Sequence, residues 1–575
     1  MGGILVGAIV CSISFKSCNQ SRQDVQQLGA PLLDNLGNYK LDITTKSELA
    51  SKFFTQGIIM ANGFNHGEAE RSFREAVKQD STCAMAHWGI AYVLGPNYNS
   101  DRVEGNQEIY DAIINARKYA GNAQSWEKAL IEVMQIKFPA EGSTVDEEAF
   151  SNAMRAVADR FPDNDFIITL YAESMMNLHA WDLYTRKGGE PKPWTPAIVA
   201  TLEDAMRINS DNPLANHLYL HATEAAPDVE KALPSAERLK TLVPGAGHLI
   251  HMPSHIYINT GDYHEGSIAN ELAVKVDSIY IAQCKVQGAY PQLYYPHNWH
   301  FLAATATLEG RGARSIEAAF KTAEIIDRNY LKQDGFSTTQ HYITIPHHVL
   351  IKFSQWEKIK ALPKPAADLT YPLAIWHYAQ GMALANTGNI DKAHEHLTQL
   401  KELAATPELN KLWIWEINTA SDICNIASHV LEGEIARING RLEEAADHYQ
   451  KAIVIEDQLN YNEPPDWFFS VRHLLGDVYL RLNRPVEAEI IFREDLSYWV
   501  KNGYALNGLY HSLVFQGKDA EAQEVRKQFQ QAWKYADIEL KYSRIDEANR
   551  INLAIRVDET TPNDLMYIAG SFCGN

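Results

Sequence analysis

Small residues and aromatics recur along this chain at spacings that packed helix pairs satisfy. Ala445, Tyr449 and Ala452 stand at i, i+4 and i+7, after an Asn439-Gly440 turn. Ala69, Phe73 and Ala76 repeat the pattern after a turn near Gly63, and Ala488 with Phe492 begins it again. Residues three, four and seven apart share one face of a helix. The alanines let two helices approach, and the aromatic fills the groove between them. Upstream, Trp88-Gly89 and Leu475-Gly476 put a small residue where two helices of a pair cross. Alternating strand-like runs are scarce, so the pattern predicts an all-α chain.

Ala522 follows Ala488 by 34 residues, the period of the tetratricopeptide helix–turn–helix unit. Such units stack into a solenoid, a right-handed superhelix of antiparallel helix pairs with a concave face. Units are expected at 50–95, 166–210, 212–275, 296–330, 371–402, 425–456, 470–496 and 503–535. The stretch 180–196, rich in Gly, Pro and aromatics, reads as a loop or lid. The chain divides on this reading into a leader (1–18), a linker (19–49), a His-rich helical domain (50–361), a linker (362–372), a C-terminal array (373–545) and a tail (546–575). A single shared core is the alternative to that division.

The chain has 575 residues and a net charge of −20. A polyanion would be repelled, so nucleic acid is not expected as a partner. Ile4 to Phe15 is an apolar run of signal-peptide length, too short to span a bilayer. With Cys18 after it, the segment resembles a bacterial lipoprotein signal. Lys16 and the lack of a basic residue before the run depart from that pattern. The expectation is export, to the periplasm or outer membrane of a bacterium, with membrane contact only through a lipid on Cys18. The remaining cysteines are scattered and form no C-x-x-C pair, which argues against a thiolate metal site.

Histidine supplies the chemistry. Of 21 histidines, eight fall between His217 and His300. His217, His221 and Glu224 stand at i, i+4 and i+7, so one helix face presents two imidazoles and a carboxylate that can share an ion. His248, His251 and His255 follow at i, i+3 and i+7, then His297 and His300 at i, i+3. Proline disfavours the helical conformation in the residue before it, so a helix is expected to begin or kink at Met252-Pro253. Pro296 and Pro346 repeat the device, and three helices would present histidines at their N-terminal ends.

Nitrogen and oxygen ligands without thiolate point to zinc, copper or iron. The expected ligands are His217, His221, His251 and His255, with His248, His297 and His300 next in line. Glu224 is a ligand or a general base. Trp181, Tyr257 and Trp299 are candidates for substrate contacts. His66 with Glu70 and His179 with Asp182 are outlying pairs. Glu463 and Arg472, beside the double proline of 461–467, either reach the groove or pair with each other as a local brace, and the brace is the favoured expectation.

Five segments carry a resemblance: 63–99 (GFNHGEAERSFREAVKQDSTCAMAHWGIAYVLGPNYN), 215–225 (ANHLYLHATEA), 244–265 (PGAGHLIHMPSHIYINTGDYHE), 294–311 (YYPHNWHFLAATATLEGR) and 461–476 (YNEPPDWFFSVRHLLG). They resemble a family of bacterial tetratricopeptide-repeat proteins of unassigned function, over residues from about 50 to 540. The resemblance implies a helical-repeat fold and no particular activity. The expected function is a metal site in the concave face, serving a hydrolase or an oxidase. The alternative is a scaffold at the cell envelope that holds a peptide, protein or small-molecule ligand in its groove.

Overall fold

The computed structural model describes residues 29–99, 106–139, 145–185, 188–286, 288–467 and 469–545. The leader, Cys18 and the 546–575 tail lie outside the described residues. What is described is almost wholly helical; one short antiparallel pair, Trp413–Ile414 with Asn418–Thr419, is the exception among the named elements.

The repeat pattern sets the local architecture. Ser47 caps the helix Glu48–Asn62 by accepting from the Ala50 N–H. That helix turns at Gly63-Phe64 into the helix His66–Gln79, which buries Ala69, Phe73 and Ala76. The Phe73 ring lies against Gly57 of the preceding helix and Gly89 of the following one, Ala84–Leu94. Tyr449 does the same to Gly433, and Phe492 to Gly476 and Gly508. Phe73 and Phe492 therefore each lock three successive helices and Tyr449 locks two, and any Cβ at these glycines would strike the ring. This is a tetratricopeptide-like all-α solenoid.

Three helices lie outside the units expected from the sequence: Asn106–Tyr119, Ser125–Lys137 and Glu147–Arg160. The stretch 29–47, read as linker, packs down through Leu33, Leu36, Leu41 and Ile43. The apolar interior forms two large bodies. One runs from Ala30 to Tyr290 and the other from Ile258 to Ile538. The second crosses 362–372 without a break, and the helix Thr370–Asn386 begins inside that stretch. The core divides instead near 258–301.

The C-terminal units also fold back on the middle of the chain. Tyr263 donates to the Val500 carbonyl at 2.7 Å. Asp537 accepts from the Gly312 N–H at 2.6 Å, and its own N–H reaches the Gly310 carbonyl at 3.1 Å. Among the described residues no helix is long and apolar enough to cross a membrane.

Candidate metal centre

The histidines converge because four short elements meet at the seam between the two core bodies. The helix Pro213–Thr223 starts at Asn212, whose side chain accepts from the Ala215 N–H, and carries His217 and His221. The helices Gly247–His251 and Pro253–Thr260 carry His248, His251 and His255. Met252 between them stays helical (φ −50°, ψ −37°), so Pro253 kinks the run rather than stopping it. The helix Tyr295–Leu308, entered through a π-type turn over Tyr290–Tyr294, carries His297 in its first turn. All six rings are buried.

They form two sets of three. In one, Nε2 of His251 lies 2.9 Å from Nε2 of His255 and 3.1 Å from Nε2 of His297. In the other, Nε2 of His217 lies 3.2 Å from Nε2 of His248, and His221 completes the group. Within each set one nitrogen per ring lies within 4.8 Å of the others. The sets adjoin, with the His221 and His255 rings 5.5 Å apart and those of His248 and His251 5.7 Å apart.

The outer partners fix the tautomers. Nδ1 of His251 lies 2.7 Å from Oδ1 of Asn270, and an amide oxygen only accepts. His251 therefore carries its proton on Nδ1 and presents a lone pair at Nε2. Nδ1 of His255 donates to Oε2 of Glu224 at 2.7 Å and faces Oε2 of Glu463 at 3.2 Å. Nδ1 of His221 donates to Oε1 of Glu224 at 3.4 Å, which leaves its buried Nε2 without a partner. Glu224 thus spans the two sets, one oxygen to each.

Electrostatics follow from this packing. Burial, then the neighbouring imidazoles, push His217, His248, His251 and His297 well below the usual histidine range. They stay neutral, the ligating form. Burial also opposes charge on His255, but Glu224 and Glu463 outweigh it and lift that group to about 9. Burial would raise Glu224, yet His221 and His255 hold it at about 2.

Aromatic rings enclose the centre. Phe64, from the first helix turn, contacts His217 and His248 at 4.9 Å each, and Phe301 contacts His251 at 4.9 Å and His255 at 4.8 Å. Trp181 sits 5.6 Å from His221 and 5.2 Å from Tyr98, and holds a left-handed backbone (φ 59°) to do so. That conformation costs a bulky residue on the order of 1–3 kcal/mol.

Other expected residues lie elsewhere. His300 sits outside both sets, 5.5 Å from the ring of His341. The Tyr257 hydroxyl donates to Glu237, and Trp299 packs with Arg314. His179 stacks on Trp194, and Asp182 pairs with Lys192. The expected brace is corrected: Arg472 pairs with Asp457 and Glu494, while Glu463 reaches His255 and Asn259. Reading the sequence missed Phe64 and Asn270. It also missed a partly buried group in the C-terminal array, His429, Glu432 and His448. There both Nδ1 atoms meet one oxygen of Glu432, at 2.9 and 3.1 Å, and the other oxygen holds Lys401. An ammonium at that carboxylate competes with any cation.

No protein-family model and no curated protein matches the chain. Among solved structures, it is similar to a chain in the APC/C hetero-tetramer Cut9-Hcn1, at 14% identity and TM-score 0.29, covering 85% of this chain and 74% of that one. It is also similar to human IFIT1, a dimer bound to m7Gppp-AAAA, at 13% identity and TM-score 0.31, covering 85% and 91%. Likeness at this level carries no inference for this chain.

Proposed function

We propose that this chain is a metalloprotein in which the helical-repeat scaffold holds two transition-metal ions. One would sit on His251, His255 and His297, the other on His217, His221 and His248. The observation that carries the reading is the meeting of three Nε2 atoms at His251. Its single lone pair faces two neighbouring nitrogens, at 2.9 and 3.1 Å. A proton relieves one of those contacts; a cation ligated by all three relieves both. Zn–N bonds of about 2.0–2.1 Å place ligand nitrogens about 3 Å apart around one ion.

Six imidazoles without thiolate suit zinc, copper(II) or non-haem iron. Such ions, when bound, polarise a carbonyl or activate water or dioxygen, so the reaction class is metal-assisted hydrolysis or oxidation. The chain's own part is positional. Asn270 and Glu224 hold the Nδ1 protons and aim the Nε2 atoms, as outer partners of metal-ligating histidines do. Glu463 adds a second carboxylate at His255, and the aromatic rings keep bulk water from the nitrogens. Glu224 serves as a general base only if a ring releases it. Export as a lipoprotein on Cys18 belongs to the same reading and rests on the apolar run at 4–15.

The test is elemental analysis of full-length protein purified without a histidine tag or chelator. About two ions per chain are expected. His251→Ala/His297→Ala should lose one and His217→Ala/His221→Ala the other, with helical content retained. No metal after reconstitution with zinc, copper and iron would overturn the reading and leave a metal-free scaffold whose groove holds a peptide or protein.

A further inference from the structure

A cavity opens beside His217, on the side away from His255. Phe64, Trp88, Tyr92, Tyr98, Phe138 and Phe150 form much of its wall. Trp88 and Tyr92 stack at 5.0 Å with their planes 8° apart. Apolar cavities of this kind need no polar groups, yet this one has several without partners. Both ends of the Asn62 amide are buried and unsatisfied, and Asn62 is 2% exposed. Oδ1 of Asn177 and Nε1 of Trp88 also lack partners. Buried polar atoms are nearly always paired, so a group of orphans around one space points to a ligand or ordered water that completes them.

The charges around the cavity say what kind of ligand. Among the described residues Lys137 is the only lysine or arginine on the wall, and its ammonium pairs with Glu147 at 3.1 Å. Glu173 remains. Its two oxygens accept from the Tyr92 hydroxyl at 2.9 and 3.0 Å. Burial raises this carboxyl to about 7, against the Tyr92 hydroxyl and the Lys137 charge, which favour its ionised form. The wall therefore offers Glu173 and the Asn62 and Asn177 carbonyl oxygens as acceptors, framed by aromatic faces. A primary ammonium has three N–H donors and is attracted to Trp and Tyr faces.

We propose that this cavity binds the primary ammonium end of a small organic amine, with Glu173 as counter-ion and the aromatic wall around its carbon chain. The ligand would end beside the His217, His221 and His248 set. Binding does not require a metal there, so the inference stands apart from the metal reading.

The experiment is calorimetric titration of the full-length protein, metal-loaded and chelator-treated, with methyl- to butylammonium chloride. The corresponding alcohols and carboxylates serve as isosteric controls. One amine site per chain is expected, with alcohols and carboxylates weaker by about tenfold or more. Glu173→Gln should lose the amine while metal content is unchanged. Amine binding by the chelator-treated chain would retain this inference whatever the elemental analysis gives. Alcohols or carboxylates binding as well as amines would overturn it. So would undiminished binding in Glu173→Gln, or no amine binding at tens of millimolar. If Glu173→Gln fails to fold, the alcohol and carboxylate comparison on the unaltered chain decides.

Discussion

Glu224 accepts from Nδ1 of His255 at 2.7 Å, a contact between residues 31 apart in the chain. Its other oxygen takes Nδ1 of His221 at 3.4 Å, so one carboxylate orients a ring in each set. Glu224→Gln keeps the shape but presents one amide nitrogen in place of an acceptor. Metal affinity should fall about 10- to 100-fold, at both ions, read by competition with a chromophoric chelator. Unchanged affinity at either site would show that the carboxylate does not aim that ring.

Pro253 kinks the run that carries His251 and His255 without ending it. Pro253→Ala should straighten the run and turn His255 away from His251 and His297. Metal retention should fall more than the melting temperature does. A variant with full metal content would refute this role, whatever its melting temperature.

Asp277 gives a pH dependence outside the metal ligands. It is fully buried, accepts from Tyr290 at 2.7 Å and from Asn298 at 2.8 Å, and burial raises it from 3.8 to about 7. A group raised on folding binds more protons in the folded state between those two values. Its contribution is therefore full below pH 3.8 and lost as pH rises through about 7. Asp277→Asn, which keeps a hydrogen-bonding amide in place, should remove that slope. The melting temperature of the variant should gain on the parent as pH is raised from 5.5 through about 8. A difference that does not vary with pH would reject the assignment.

Gly476 and Gly67 separate close packing from backbone freedom. A Cβ on Gly476 would meet the Phe492 ring, whereas one on Gly67 meets nothing within 4 Å. Gly476→Ala should destabilise by about 1–3 kcal/mol. Gly67→Ala, in the first turn of a helix, should be neutral or stabilise by up to about 1 kcal/mol. Chemical denaturation of both variants reads the contrast, and equal effects would remove the packing argument.

The repeats are legible because their signal is local. Ala445 and Tyr449 share a face one turn apart on one helix, and Tyr449 meets Gly433 on the helix just before it, so neighbours in sequence make the contact. The histidine sets are half legible. Spacing puts His217 with His221, and His251 with His255. Joining His248 to the first set and His297 to the second depends on how three helices cross. Glu463 is half legible: its reach to the groove is the less favoured of two readings, because its contact with Asn259 spans 204 residues while a local brace needs only neighbours. The helices Asn106–Tyr119, Ser125–Lys137 and Glu147–Arg160 lack the small–aromatic–small spacing and so leave no mark. Glu173 and Asn62 carry no motif at all, since a cavity is made by what surrounds it.

The fold-back contacts change how such a chain should come apart. Open solenoids touch only their neighbours along the stack and can fray from an end. Here Val500 is tied to Tyr263, Asp537 to Gly310 and Gly312, and Glu463 to His255. The spring is clamped to its own middle. Losing a terminal turn would then strip partners from buried groups beside the histidines, so the last units are expected to melt together with the centre rather than before it.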